Sequence, residues 1–148
     1  AEQIIQADIQ DMPLRDASMD VAFSSLALQW VPDWKKAFSE IRRVLKTGGI
    51  LCLTSLGQDT LVELRESLQK AGPYMPLLPF RALSDLVTVL MQHGFQIIDK
   101  KQKSHVRYYS SPKHVFEMLK GLGSTHKGWS TTKHMKGKDW LKRVESTY

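Results

Sequence analysis

The sequence predicts an α/β fold: a parallel sheet with helices on both faces, followed by a small basic helical module. Three observations carry that expectation. Short apolar runs alternate with amphipathic segments of helical period, glycine and proline punctuate the junctions, and polar residues close the apolar runs. Polar residues at strand ends are expected along the carboxyl edge of a parallel sheet, where open α/β folds bind their ligands.

Gln3 to Ala7 is a short apolar run ending at Asp8 and reads as a strand. Met12, Pro13 and the polar stretch after them break the chain before a second strand, Val21 to Ser25, which Asp20 precedes. Trp34, Ala37, Phe38, Ile41, Val44 and Leu45 recur at helical spacing opposite Lys35, Lys36, Glu40, Arg42 and Arg43. Asp33 is the expected N-cap of that helix and Gly48 its stop. Ile50 to Thr54 is a continuous apolar run, as in a parallel strand covered on both faces, so Cys52 is expected to be a buried, inert thiol. A helix with Leu61, Leu64, Leu68 and Ala71 inward follows, and the proline-rich PYMPLLPF loop interrupts it. Ser84 opens a further helix that buries Leu86, Val89 and Leu90 and stops at Gly94, and Phe95 to Ile98 returns as a strand. Ser111 and Pro112 supply the N-cap and first helical residue of a helix running to Leu119. The glycine-rich segment KGLGSTHKGW comes next, then a basic helix around Trp140, Leu141 and Val144.

Composition divides this chain of 148 residues in two. Residues 1–100 hold 10 Lys and Arg against 12 Asp and Glu, whereas residues 101–148 hold 11 against 3. The expected organisation is therefore an α/β core over 1–100 and a basic arm with a helical module over 101–148. The basic module favours an acidic partner. Without zinc-finger spacing, RNP-like aromatics or an arginine cluster, nucleic acid is not the expected one. No run of about 18 apolar residues is present, so no membrane span is expected. The first residues lack the basic and apolar regions of a secretory signal, and a cytoplasmic location is the expectation. His93, His105, His114 and His134 show no metal-ligand spacing, and no nucleophile elbow or phosphate loop occurs.

The pattern AD-x-x-x-x-PL, then D-x-x-x-SS-L-x-x-QW, then RVLK-x-GG resembles the second half of class I methyltransferases, which use S-adenosyl-L-methionine. SSLALQWVPDWKKAF, GQDTLVELRESL and above all FEMLKGLGSTHKG are similar to the malonyl-acyl-carrier-protein O-methyltransferases of biotin synthesis. The resemblance implies a partial class I methyltransferase (Rossmann-like) sheet containing strands 3, 4, 5 and 6 of the family order 3-2-1-4-5-7-6. The chain would then be the part after the glycine-rich cofactor loop, a piece of a longer protein. On that basis Gln3 to Ala7, lacking its family neighbours, is expected to detach from the main sheet or to pair abnormally.

The implied reaction passes the methyl group of S-adenosylmethionine to the free carboxylate of a malonyl thioester on an acidic acyl carrier protein. A carboxylate is already ionised near neutrality, so no general base and no catalytic residue of that kind is expected. By resemblance, Asp8 accepts from the adenine amino group, Ile9 packs on the ring, and Ser24, Ser25 and Leu26 lie along the cofactor. Gln29 and Trp30 sit where acceptor and cofactor meet, with a tryptophan packed under the following helix as the alternative for Trp30. Lys120, Thr125 and His126 are the candidates for the malonyl group or its pantetheine arm, with Tyr108 and Arg107 closing the same site.

Two other readings stand beside this one. The chain also resembles the methyltransferase-fold assembly factor of mitochondrial complex I, a hydroxylase-like relative that shares the SSL-x-L-x-W and DTL-x-ELR-x-SL features. A non-catalytic half-domain completed by an oligomer partner is the other. If the basic module steers an acidic carrier, neutralising Lys133, Lys136 and Lys138 together slows association and flattens its dependence on salt. Stopped-flow association at two ionic strengths checks this, and unchanged rates contradict it.

Overall fold

The structure is a computed structural model that describes residues 4–72, 80–121 and 138–147. Contacts divide the chain into two compact units, one of Ala1–Gln58 with Pro79–Gln102, the other of Asp59–Leu78 with Lys103–Tyr148.

The first unit is built on two strands, β1 (Met19–Ser25) and β2 (Leu45–Thr54), paired in parallel with Val21 opposite Ile50 and Ser25 opposite Thr54. Between them runs α1 (Trp34–Val44), capped by the Asp33 carboxylate, which accepts from the Lys36 amide at 3.1 Å. Trp34, Ala37, Phe38, Ile41 and Val44 form its buried stripe. The helix ends at Val44 rather than Gly48, because Leu45 is already extended, buried and paired with Met19. The register then slips between Met19 and Val21. Gly48 takes a positive φ of 78° within this bulged stretch. At Gly49 a Cβ would come within 3.1 Å of the Asp20 carbonyl, so the two backbones approach too closely for a side chain.

Helix α3 (Leu83–Gln92) completes this core: Leu86 and Leu90 join Leu28, Trp34, Phe38, Ile41 and Leu45. Ala22, Leu51 and Leu53 line the sheet face packed against that cluster. The opposite face is open, with Phe23 74%, Val21 58% and Ile50 45% exposed. Cys52 lies on it and is exposed, not the buried thiol that its apolar neighbours suggest. Side chains alternate across a strand, so residues 50, 52 and 54 share a face that no described helix covers.

Two expected strands are not formed. Residues 4–7 carry no ladder and are exposed, outside the β1–β2 sheet; Gln3 lies outside the described residues. Residues 95–98 are likewise unpaired. Gly94, at φ 78°, ends α3, and the Phe95 amide returns to the Leu90 carbonyl at 3.1 Å. Phe95 therefore packs on the core as part of a helix terminus.

The second unit contains α2 (Val62–Lys70), α4 (Pro112–Gly121) and α5 (Lys138–Glu145). Leu64, Leu68 and Ala71 bury against Val115, Leu119 and Val144. Ser67 Oγ donates to the Thr147 carbonyl at 3.0 Å, and Thr147 Oγ1 donates back to the Ser67 carbonyl at 3.2 Å. The sequence expectation set residues 59–78 in the α/β core; the structure groups them with the basic C-terminal segment instead, because the apolar face of α2 finds its partners there. The PYMPLLPF loop lies outside the described residues except for Phe80.

Phe38→Ala removes a fully buried ring and is expected to cost about 3–5 kcal/mol, whereas Phe23→Ala on the open face changes stability by roughly 0.5 kcal/mol or less. Urea midpoints of the two variants check the contrast.

Candidate functional site

An open cleft of about 890 Å³ lies in the first unit, beyond the carboxyl end of β1. Its walls come from two segments: Ala7, Asp8 and Ile9 on one side, Ala27, Trp30 and Pro32 on the other.

The Asp8 wall is a self-contained turn. Asp8 Oδ1 accepts from the Gln10 amide at 2.9 Å and from Gln10 Nε2 at 3.2 Å, and the Asp11 amide donates to the Asp8 carbonyl at 3.0 Å. The Gln10 backbone N–H, then its side chain, hold the Asp8 carboxyl below its ordinary value. The group is an exposed, ionised acceptor at neutral pH, while Ile9 is half-buried and packs on the core.

The Trp30 wall is a 3-10 turn, Leu28–Trp30, fixed from beneath. Leu28 is buried in the core, and its carbonyl accepts from Trp34 Nε1 at 3.0 Å. Trp34, and not Trp30, is therefore the tryptophan packed into the core; Trp30 is 46% exposed and lines the cleft. The turn leaves β1 through Leu26, a leucine at φ 50° whose amide donates to the Thr54 carbonyl at 3.1 Å. A left-handed leucine is sterically costly and persists only where its surroundings hold it, which is common at functional sites. Ser25 Oγ lies 3.3 Å from Thr54 Oγ1, and Gln29 Nε2 donates to the Leu26 carbonyl at 2.5 Å. Ser24 Oγ and Gln29 Oε1 are buried without a partner.

The structure thus brings Asp8, Ile9 and Trp30 to one cleft, while Ser24, Ser25, Leu26 and Gln29 lie on the end of β1 and the turn after it, outside the cleft lining. Tyr108 and Lys120 belong to the other unit: Tyr108 is 96% exposed and Lys120 ends α4 in solvent. Thr125 and His126 lie outside the described residues. Sequence reasoning missed Ala27 and Pro32 as wall residues. It also placed Glu40 and Arg43 on a solvated helix face, although both are tied to the segment after Asp8. Among the described residues no cluster of His, Cys, Asp and Glu could hold a metal ion, and no helix is long and apolar enough to cross a membrane.

Residues 1–53 match the methyltransferase domain family. A malonyl-[acyl-carrier protein] O-methyltransferase of Nitrosospira multiformis is 32% identical over 95% of this chain and 46% of its own length. The biotin biosynthesis bifunctional protein BioHC of Teredinibacter turnerae is 33% identical over 95% of this chain and 25% of its own. The chain therefore spans about half the length, or less, of these relatives. Among solved structures, an S-adenosylmethionine-dependent methyltransferase of Thermotoga maritima aligns at a TM-score of 0.53 with 23% identity, covering 63% of this chain and 45% of that one. Over the aligned part of the chain the fold is that of a methyltransferase. In the cleft an ionised acceptor, Asp8, and its apolar neighbour Ile9 stand with the aromatic Trp30.

Because the Asp8 pKa is lowered on folding, its stabilising contribution is complete above the ordinary value of 3.8 and is lost as the pH falls through the folded value. A carboxyl-carbon NMR titration is expected to give Asp8 a pKa below 3.8. In Gln10→Ala most of the depression survives, since the backbone N–H is its larger cause.

Proposed function

Similarity to malonyl-acyl-carrier-protein O-methyltransferases along 95% of this chain is the premise, and we propose that the chain is part of an enzyme with that activity. The single observation that carries the reading is the convergence of Asp8, Ile9 and Trp30 on one cleft beyond the carboxyl end of β1.

S-adenosylmethionine supplies an electrophilic methyl group on a sulfonium. Asp8 is suited to accept from the exocyclic amino group of the adenine, because its carboxylate keeps lone pairs beyond those used by Gln10. Ile9 offers the ring an apolar surface. Ser24, Ser25 and Leu26 at the strand end are proposed to lie along the cofactor. Trp30 walls the cleft and limits water around a transfer that needs alignment of the malonyl carboxylate rather than its deprotonation. Lys120, Thr125, His126 and Tyr108 are proposed to bind the malonyl group or the pantetheine arm, Lys120 as the cation. The basic residues 101–148 suit an acidic acyl carrier protein, and the reading implies a cytoplasmic enzyme.

A second reading rests on the open sheet face of Val21, Phe23 and Ile50: a half-domain that needs a complementing polypeptide before it binds cofactor.

Titration of S-adenosylhomocysteine into the 148-residue chain separates the two, since the first predicts saturable binding and the second none until a complement is added. In a binding-competent protein, Asp8→Ala is expected to weaken S-adenosylhomocysteine about tenfold, the loss of one charge-assisted hydrogen bond. Formation of the malonyl-carrier methyl ester checks the substrate. Undiminished affinity in Asp8→Ala, or no ester from a cofactor-loaded protein, overturns the assignment.

A further inference from the structure

Among the described residues, the hydrogen bonds of Asp8, Gln10 and Asp11 stay within their own turn. Nothing polar in the turn itself fixes where the Asp8 carboxylate points relative to Trp30. Lys36 on α1 acts on the Asp8 carboxylate electrostatically, and the first hydrogen bond out of the turn comes at Met12. Its amide donates to Glu40 Oε1 at 3.1 Å, and its carbonyl accepts from Arg43 Nη2 at 3.0 Å. Arg43 Nη1 donates to the Leu14 carbonyl at 2.8 Å and pairs with Asp16, while Arg43 Nε donates to Glu40 Oε2 at 3.0 Å. A second contact joins Arg43 Nη2 to Glu40 Oε1.

One guanidinium therefore reads two carbonyls and two carboxylates, and the carboxylate it orients receives the Met12 amide. Beyond it the chain is stitched to the end of α1, where the Ala17 amide donates to the Arg43 carbonyl and the Ser18 amide to that of Val44, each at 2.9 Å. Ile9 and Met12 also pack against the core, but apolar packing is non-directional and leaves the rotation of the segment free. A planar guanidinium fork sets that rotation, which an ammonium cannot reproduce. Glu40 is only 15% exposed and the guanidinium beside it holds its carboxyl below the ordinary range, so the pair is ionised throughout the neutral region.

We infer that Arg43 and Glu40 are positioning residues for the cofactor cleft: from the outer side of α1 they lock the Met12–Asp16 backbone and so fix the Asp8 carboxylate opposite Trp30. The inference rests on the cofactor reading for its consequence, but the lock is a property of the ligand-free chain.

Two variants test it, Arg43→Lys and Glu40→Gln, against Lys46→Met, which breaks the exposed Lys46–Asp20 pair elsewhere in the unit. Amide hydrogen exchange in the ligand-free protein is expected to accelerate about tenfold at Met12 in both test variants and to stay unchanged in the control. Exchange within α3 should be the same in all three, which a merely global loss of stability would not give. S-adenosylhomocysteine affinity should fall about fivefold or more in the test variants alone. Unchanged Met12 exchange in folded Glu40→Gln, or equal acceleration in α3, overturns the inference. If the variants show the exchange contrast but the unmodified protein binds no S-adenosylhomocysteine, the lock stands and the cofactor reading fails.

Discussion

Burial of the apolar stripe of α1 is the interaction on which the first unit depends. Phe38 is wholly enclosed between the sheet face of Ala22, Leu51 and Leu53 and the α3 side chains Leu86 and Leu90, and it meets Trp34 edge-on at 6.2 Å between ring centroids. The helix can occupy that place only because β1 and β2 run parallel, which forces the connection between them to cross over one face of the sheet. Both walls of the cleft descend from this one packing arrangement. Leu28 is drawn into the core beside Trp34 and sets the turn that presents Trp30, while the polar side of the same helix holds the segment that follows Asp8.

The second unit follows different physics. Among the described residues its helices meet no sheet; they bury Leu64, Leu68, Val115, Leu119 and Val144 against one another and close the contact with reciprocal hydrogen bonds between Ser67 and Thr147. Its charge remains at the surface: Lys113, Lys120, Lys142 and Arg143 are exposed. A small apolar core thus lies beneath a basic exterior.

A methyltransferase fold constrains the position of a site more than it constrains the reaction performed there. Here the fold accounts for a cleft beyond the end of β1 and for a strained Leu26 at the strand exit. The identity of the methyl acceptor rests instead on the similarity to named relatives and on the basic segment 101–148, which is why the adenosine side of the proposal has geometric support and the acceptor side has chemical support.

The helices were legible in the sequence because each carries a local signal: Asp33 before α1, the Gly94 stop after α3, Ser111 and Pro112 before α4, and apolar residues at helical spacing throughout. The core of the second strand and its partner were legible too, as β-branched and apolar runs bounded by glycine and serine. Asp8, Ile9 and Trp30 were site candidates through the resemblance to methyltransferases, which local pattern alone does not supply. Tertiary structure decided what depends on a neighbour distant in sequence. Residues 4–7 and 95–98 have strand-like composition but no ladder, since a strand exists only where another backbone accepts its hydrogen bonds. Cys52 is apolar in context yet exposed, since burial belongs to the opposing layer and not to the run itself. Arg43 reads as one more charge on a solvated helix face until the chain folds Met12 and Leu14 against it, contacts spanning about 30 residues that no local pattern encodes.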